Sequence, residues 1–246
     1  MKLPALLCSI ILMWCSSCAL YADDCDMITL NYIERPPYLV KSGNSVEGLS
    51  GTPTERAFKQ AEIPFEWKEI STASHLRLIE ANTGCDCIVS YFKTPEREKY
   101  AKYTVPIYQD QPHIAVARAD NQKLMSDGTV EMALKNPEII LEVKKDWSYG
   151  KFLDSKIAQY HPKTDETIGD NAQILKKIYA KRADIFFTTP AEADAVITVS
   201  GFSRQDFKYI TFRDVPIGEN RYILCSQKVS DEIIKKFNDA ISSYQK

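Results

Sequence analysis

Strand-like and helix-like runs alternate along the first part of this chain, and their order limits the possible folds more than any other feature of the sequence. In order they are a strand over 27–32, a helix from Pro53, a strand over 65–70, a helix over 73–82 and a strand over 87–92. The capping box that begins at Thr52 marks the start of the first helix. This βαβαβ order predicts an α/β fold in which helices flank a mainly parallel sheet.

The alternation starts a second time after residue 110. A similar Val-Pro-Ile segment stands on each side of this second set, at 105–107 and at 215–217. Because proline stiffens an extended connector, two such crossings predict a defined hinge. We therefore expect two lobes, one formed by residues 23–109 and 221–246 and the other by residues 110–220. The alternative is one continuous domain in which the repeat arises by chance.

The first 22 residues have the charged, apolar and small-residue regions of a secretory signal peptide. Acylation of Cys18 as a lipoprotein is an alternative, but Cys15 stands where such signals usually carry an aliphatic residue. No later run reaches the roughly 18 to 20 apolar residues that a membrane span needs. We expect the mature chain to begin near Asp23 and to be located in the periplasm.

The charge balance bears on the class of partner. Lys2 is the single charged residue of the predicted signal peptide, so 30 basic and 33 acidic side chains remain after its removal. A balance so near neutrality argues against a nucleic-acid partner.

Four cysteines follow the predicted signal peptide: Cys25, Cys85, Cys87 and Cys225. An even number in an exported chain predicts two disulfides. A bridge between Cys85 and Cys87 is disfavoured, because two residues of one extended strand are held too far apart. If the strand that contains Cys225 lies antiparallel beside the one that contains Cys87, the bridges are Cys25–Cys85 with Cys87–Cys225, or the swapped pairing. No ligand spacing of further cysteines or histidines suggests a metal or a cofactor.

A turn that follows the strand over 87–92 forms an anion-binding corner. Thr94 can cap a helix whose first residue is Pro95, which places Arg97 in the first helical turn. A guanidinium fits a carboxylate with two hydrogen bonds, and a helix N-terminus adds free N–H donors. The alternative is a plain cap with an arginine that faces solvent.

Other candidate ligand-binding residues lie where strands end, because ligands of open parallel sheets bind beyond the carboxyl ends of the strands. Simpler interpretations exist for several of them: the aromatic residues can be core residues, Ser148 and Thr189 can be helix caps, and Glu34 with Arg35 can form a solvated turn. The first lobe offers Glu34, Arg35, Tyr38, Ser90 and Phe92, and the second offers Trp147, Ser148, Tyr149, Thr188 and Thr189.

Four motifs together resemble the amino-acid-type (family 3) periplasmic solute-binding proteins. They are Tyr-Ile-Glu-Arg-Pro-Pro-Tyr at 32–38, Thr-Pro-Glu-Arg at 94–97, Trp-Ser-Tyr-Gly at 147–150 and Ala-Asp-Ile at 183–185. The resemblance spans nearly the whole mature chain. It implies a type II periplasmic-binding-protein fold, and a receptor that closes on a small polar solute and delivers it to an ABC permease in the inner membrane. It also implies that Arg97, helped by Ser90, holds a carboxylate of the solute.

Two departures from the family pattern leave the solute open. Family members usually carry an aspartate for the ligand ammonium where this chain has Thr188-Thr189, and Glu34 or Glu192 are the possible substitutes. Lys144-Lys145-Asp146 stands where a glycine is common. A buried ammonium without a carboxylate is unfavourable, so the solute can be an amino acid, a carboxylate without an amine or another small polar molecule.

Two other classes of function remain as alternatives. Similar folds serve periplasmic dehydratases that resemble cyclohexadienyl dehydratase, with Glu34 or Glu192 as the acid. The chain can also report a ligand to a membrane sensor or assist a periplasmic oxidoreductase. His75, His113 and His161 are scattered and no nucleophile motif accompanies them, so we predict a monomeric binding protein and not an enzyme.

Overall fold

The structure is a computed structural model that describes residues 25–168 and 170–244. The predicted signal peptide, with Cys18, lies outside the described residues. In the described ranges, each helix is too short or too polar to cross a membrane.

Strands and helices follow one another through the whole described chain. A short 3₁₀ helix at Arg204–Asp206 precedes β12. The elements are β1 (Ile28–Tyr32), β2 (Val40–Ser42), β3 (Ser45–Glu47), α1 (Gly51–Gln60), β4 (Phe65–Glu69), α2 (Thr72–Ala81), β5 (Asp86–Tyr91), α3 (Pro95–Glu98), β6 (Ala101–Tyr103), β7 (Tyr108–Gln109), β8 (Ile114–Arg118), α4 (Val130–Leu134), β9 (Leu141–Lys144), α5 (Lys151–Tyr160), β10 (Thr164–Thr167), α6 (Asn171–Tyr179), β11 (Ile185–Thr188), α7 (Pro190–Val199), β12 (Phe207–Ile210), β13 (Asn220–Ser226) and α8 (Asp231–Tyr244).

The two larger sheets share one plan. The first has the strand order β4-β1-β5-β13-β6, with β7 also paired to β13, and the second has the order β10-β9-β11-β8-β12. In each sheet three neighbouring strands are parallel, and a returning strand, β13 or β8, joins them antiparallel. Both sheets are therefore mixed. The predicted α/β fold of two lobes is confirmed, whereas the exact lobe boundaries stay a prediction.

The C-terminal helix belongs to the lobe of the first sheet. Phe237 of α8 stacks on Phe58 of α1 with 4.1 Å between ring centroids, and both side chains are fully buried. The Tyr244 hydroxyl donates a hydrogen bond to the Pro53 carbonyl (2.8 Å). Helix α8, the last of the described elements, thus packs on the lobe that the first part of the chain forms, as the sequence predicted.

Two disulfides lie in the first lobe. Cys25 is bonded to Cys85 and Cys87 to Cys225, with Cα–Cα distances of 5.7 and 4.0 Å. Cys87 and Cys225 are register partners on β5 and β13, which explains why this pairing forms and not the swapped one.

Two predicted helix starts are wrong. Helix α1 begins at Gly51 and not at Pro53, and Thr52 accepts a hydrogen bond from the Gly48 backbone where the sequence suggested that it caps the helix. Helix α5 has Gly150 as its N-cap residue, with a φ of +86° that favours glycine, so Ser148 is not the cap.

The two other predicted caps are confirmed. The Thr94 hydroxyl accepts a hydrogen bond from the Arg97 backbone, and the Thr189 hydroxyl accepts one from the Glu192 backbone. These caps fix the direction in which α3 and α7 leave the carboxyl ends of β5 and β11.

The two connectors between the lobes are hydrogen-bonded to each other. Strand β7 pairs antiparallel with the start of β13, and the Asp110 backbone donates to the Glu219 carbonyl (2.9 Å). The chains approach so closely that a Cβ atom at Gly218 would overlap the carbonyl of Asp110. The hinge is therefore a short paired ribbon, and we call residues 108–110 with 218–221 the hinge ribbon.

Candidate functional site

The carboxyl ends of four parallel strands face each other between the lobes. The segment after β1 carries Arg35, β5 leads to Phe92, β9 ends at Lys144 and β11 ends at Thr188. Since ligands of such sheets bind beyond these ends, the space between the lobes is the place to look for a site.

Arg35 and Glu192 join the two lobes across this space, and we call this ion pair the latch. The Arg35 Nε atom lies 2.5 Å from Glu192 Oε1, and Nη2 donates to Oε2 at 2.8 Å. The Thr188 hydroxyl and the Asn171 amide each donate a further hydrogen bond of 2.8 Å to the same carboxylate. The Arg35 guanidinium also lies 4.4 Å from the ring centroid of Trp147. A two-pronged pair of this kind is specific in geometry as well as strong.

The latch keeps Glu192 ionised. Burial raises the pKa of its carboxyl, but the Arg35 guanidinium, with Arg221 and the Thr188 hydroxyl, lowers that pKa to about 2. At neutral pH the carboxylate is therefore charged, and its oxygens already accept hydrogen bonds from the protein.

A second contact between the lobes is neutral. The hydroxyls of Tyr38 and Thr189 are 2.8 Å apart, and both side chains are buried. Burial raises the pKa of Tyr38 to about 12, so its hydroxyl stays protonated at neutral pH.

Behind these contacts lies a second arginine–carboxylate pair, which belongs to the hinge ribbon. Arg221 donates from Nε and Nη2 to the two carboxylate oxygens of Asp110 at 2.7 and 2.6 Å, and both side chains are almost fully buried. Its third donor, Nη1, reaches the Ser90 carbonyl at 3.1 Å, and the guanidinium lies 4.0 Å from the Tyr38 ring centroid. Arg221 therefore ties the end of β5 to the hinge ribbon.

Two cavities flank the latch. The smaller one has about 20 Å³, which is room for a water molecule. The larger one has about 700 Å³, within the range of small-molecule sites, and residues of both lobes line it. Its walls include Leu76, Ser90, Tyr91, Phe92, Arg97 and Tyr100 from the first lobe and Lys144, Trp147, Ser148, Asp154 and Ile168 from the second.

Arg97 lies in the wall of the large cavity with 8% of its surface exposed. Its Nη1 atom donates to the Phe92 carbonyl at 3.0 Å, and its guanidinium lies 5.2 Å from the ring centroid of Tyr91. Within the described residues, no carboxylate lies at ion-pair distance from it. Helix α3 has only four residues, so the positive charge of this corner comes from the guanidinium and not from a helix terminus.

Lys144 supplies a second cation from the opposite lobe. Its Nζ atom lies 4.4 Å from the Trp147 ring centroid, and none of the described carboxylates comes within ion-pair distance of it. Burial and the nearby Arg35 guanidinium lower the pKa of Lys144 to about 8, so the amine is largely protonated at neutral pH.

The predicted site residues fall into three groups. Arg35, Ser90, Phe92, Arg97, Trp147 and Ser148 line the large cavity, whereas Tyr149 and Thr188 line only the small one. Tyr38 and Thr189 line neither and instead join the lobes. The side chain of Ser90 is oriented by a hydrogen bond of 2.9 Å to the Ser50 hydroxyl.

The structure corrects the prediction that Glu34 is a ligand-binding residue. Its side chain is exposed and lines neither cavity. The segment that follows β1 directs the Arg35 side chain to Glu192 of the second lobe and leaves the Glu34 side chain in solvent.

The hinge pair and the far wall of the large cavity were not predicted from the sequence. Asp110 and Arg221 stand at the predicted lobe boundaries, and this position was the one signal in the sequence that could have indicated their pairing. Helix α2 contributes Leu76 and His75, whose Nδ1 atom lies 2.8 Å from the Tyr91 hydroxyl. Burial lowers the pKa of His75 to about 4, so its imidazole is neutral at pH 7. In the described ranges, no cluster of histidine, cysteine and acidic side chains could hold a metal ion.

The fold and the site define a two-lobed α/β binding protein, and comparison with known proteins gives its family. The model of the bacterial extracellular solute-binding proteins, family 3, matches residues 29–246. The chain belongs to that family. No match was found among curated protein sequences.

Solved structures show the same fold at low sequence identity. An ancestral arginine-binding protein bound to arginine is 15% identical, with a TM-score of 0.70 over 89% of this chain and 92% of the other. The holo arginine-binding protein of T. maritima is 16% identical, with a TM-score of 0.68 over 90% and 91%. A structure concerned with glutathione import through GshT and the cystine importer of Streptococcus mutans is 14% identical, with a TM-score of 0.69 over 89% of each chain. At these identities the likeness concerns the fold alone.

Proposed function

We propose that this protein is an extracytoplasmic receptor that captures a small polar solute with a carboxylate in the large cavity and delivers it to an ABC permease. The observation that carries the proposal is Arg97, a nearly buried guanidinium in the wall of a cavity between two lobes, with no carboxylate at ion-pair distance in the described chain. A buried cation without a counter-charge is unfavourable, so a carboxylate ligand completes this site.

The contacts between the lobes supply the conformational part of the function. The latch and the Tyr38–Thr189 contact each join side chains of different lobes, so both exist only when the lobes are close together. A ligand that touches both walls of the large cavity binds that arrangement best, and therefore shifts the population toward it. The permease can then distinguish the loaded receptor by its shape.

The predicted lobes, location and oligomeric state belong to the same proposal. The lobes are residues 23–109 with 221–246 and residues 110–220, and residues 1–22 direct a monomeric protein to the periplasm. The hinge ribbon supports this division, because its paired strands meet at both predicted boundaries.

Neither of the two acids named for the dehydratase alternative is suited to that role. A general acid must hold a proton near neutral pH, but the pKa of Glu192 is about 2 and Glu34 is exposed outside the cavities. The proposal is therefore for binding without catalysis. A role as reporter to a sensor would use the same cavity and differ only in the partner.

A thermal-shift screen of the mature protein with amino acids, monocarboxylates and dicarboxylates tests the proposal, because a ligand of the folded state raises Tm. For the hit, Arg97→Ala should weaken binding by about 2 to 5 kcal/mol in titration calorimetry. Arg182→Ala, an exposed arginine of the second lobe, is the matched control and should bind as the wild type does. Unchanged affinity in Arg97→Ala would show that the carboxylate site lies elsewhere.

A further inference from the structure

Two shielded cations of the large cavity lack a carboxylate at ion-pair distance among the described residues. Arg97 is buried in the wall of the first lobe, and Lys144 is half-buried in the wall of the second. Arg35 and Arg221 are instead held in the two-pronged ion pairs of the latch and the hinge ribbon. Arg77 and Lys145 also line the cavity but are exposed. Arg97 and Lys144 are therefore the shielded positive charges that remain for a ligand.

The acidic residues near the cavity are unsuited to hold an ammonium group. Glu192 already accepts hydrogen bonds from Arg35, Thr188 and Asn171. Asp154 accepts hydrogen bonds from the Ser148 hydroxyl and the Tyr149 backbone at 2.5 and 2.8 Å, burial raises the pKa of its carboxyl, and the Arg97 guanidinium is near enough to favour its charged form. The remaining lining acids are exposed: Glu80, Glu96 and Asp146. A ligand ammonium beside Lys144 and Arg35 would meet like charge with no free buried carboxylate to offset it.

We propose, on the basis of the receptor function above, that the solute is a small dicarboxylate, with one carboxylate on Arg97 and the other on Lys144. The residues come from facing lobes, so a ligand that engages both draws the lobes together, and each charge of the ligand meets a charge of the protein. The guanidinium suits two-pronged binding, and the ammonium acts as a compact point charge. Leu76, Tyr91, Trp147 and Ile168 offer apolar surface to the carbon chain between the two carboxylates.

The protonation of Lys144 supports this assignment near neutral pH. The charged groups that act on it are Arg35 and Glu192 of the latch and Asp170, the N-cap residue of α6. With a pKa of about 8, the amine carries its charge at pH 7 and loses it as the pH rises above about 8.

The test compares dicarboxylates with their mono-amides, which keep the shape and lose one charge. Succinate, glutarate and adipate are titrated into the mature protein beside succinamate, glutaramate and adipamate. We expect one dicarboxylate to bind about tenfold or more tightly than its mono-amide, a difference of about 1.4 kcal/mol. In Lys144→Met the affinity for the dicarboxylate should fall to the affinity for the mono-amide. The affinity for the mono-amide should stay nearly constant.

Two further variants separate a ligand contact from a general effect on the fold. Lys144→Arg keeps the charge and should keep the preference for the dicarboxylate. Lys163→Met removes an exposed lysine of the same lobe and should change neither affinity. If Lys163→Met also loses the preference for the dicarboxylate, that preference comes from the overall charge of the protein, and the assignment to Lys144 is overturned.

The outcomes distinguish this inference from the receptor function on which it rests. Equal binding of dicarboxylate and mono-amide, or tighter binding of an amino acid whose affinity depends on Arg97, overturns the dicarboxylate alone. A ligand that binds independently of Arg97 overturns the site assigned to Arg97, and the dicarboxylate with it. No binding by any amino acid, monocarboxylate or dicarboxylate overturns the receptor function itself.

Discussion

Two arginine–carboxylate pairs have the same two-pronged geometry, and both of their guanidiniums contact the Tyr38 ring, yet they join different parts of the molecule. Arg221 and Asp110 lie on the two hydrogen-bonded segments of the hinge ribbon. Arg35 and Glu192 lie on different lobes and meet across the space between them. Opening of the lobes would leave the first pair in place and separate the second. The same chemistry thus serves a fixed axis in one case and a reversible contact in the other.

The difference also sets what each pair contributes to stability. Removal of one partner from a buried pair leaves the other charge in a low-dielectric environment, which costs about 3 to 5 kcal/mol. The side chains of the hinge pair are 2% and 0% exposed, and they lie on two segments that are hydrogen-bonded to each other, so the pair need not separate when the lobes open. The latch can reach water when the lobes separate, so its loss should act mainly on the balance between open and closed forms.

The largest expected effect is at the hinge. Asp110→Ala should lower the free energy of unfolding by about 3 to 5 kcal/mol, measured by urea denaturation, because it leaves Arg221 buried without a counter-charge. The double variant Asp110→Ala with Arg221→Leu should recover part of that loss. If Glu192→Ala is as destabilising as Asp110→Ala, the distinction between a fixed and a reversible pair fails.

Acid should break the latch. Glu192 has a pKa of about 2, below its ordinary value of 4.5, so its contribution to stability is complete above pH 4.5 and is lost as the pH falls toward 2. That loss is about 3 kcal/mol if it is taken wholly from the unfolding equilibrium. Unfolding measured at steps of pH should show a shallower decline in this window for Glu192→Gln than for the wild type. Parallel curves would mean that the latch does not govern this part of the acid response.

Near neutral pH, the same substitution should act on closure. Glu192→Gln removes the charge of the latch, so the ligand-free protein should have a larger radius of gyration by solution X-ray scattering than the wild type. Affinity for the ligand should fall by up to about tenfold, because the closed form is then less populated. Glu166→Gln, an exposed glutamate of β10, is the control. An unchanged radius of gyration would place closure under the control of other contacts.

The smallest expected effect is at the neutral contact between the lobes. Tyr38→Phe keeps the ring that stacks on Arg221 and removes the hydrogen bond to Thr189, which should cost about 1 kcal/mol in ligand affinity. Tyr179→Phe, on a half-exposed ring of α6, should have no effect. A larger loss in Tyr38→Phe than in Glu192→Gln would make the neutral contact, and not the ion pair, the main link between the lobes.

Much of the fold could be predicted because its signals are local. The order of strands and helices and the caps at Thr94 and Thr189 follow from patterns that lie within a few residues of one another. The disulfides were predicted from the order of the strands, which left the swapped pairing open until the register of β5 and β13 decided it. The failures at Thr52 and Ser148 are local as well: another capping position stood close by, and the backbone at Gly48 and Gly150 decided which one was used. Glu34 failed because the direction of a side chain in a turn is not written in its residue type.

The sequence by itself determined the α/β class, the two-lobed plan and the presence of an arginine after the third strand of the first sheet. Only the tertiary structure decided that Arg35 meets Glu192 over a separation of 157 residues, that Arg221 meets Asp110 over 111, and that Arg97 and Lys144 face one cavity. The physical reason is the distance along the chain between the residues that interact. Helical and extended conformations are set by neighbours along the chain, whereas the partner of a buried charge is set by which segments the packing of two sheets brings together.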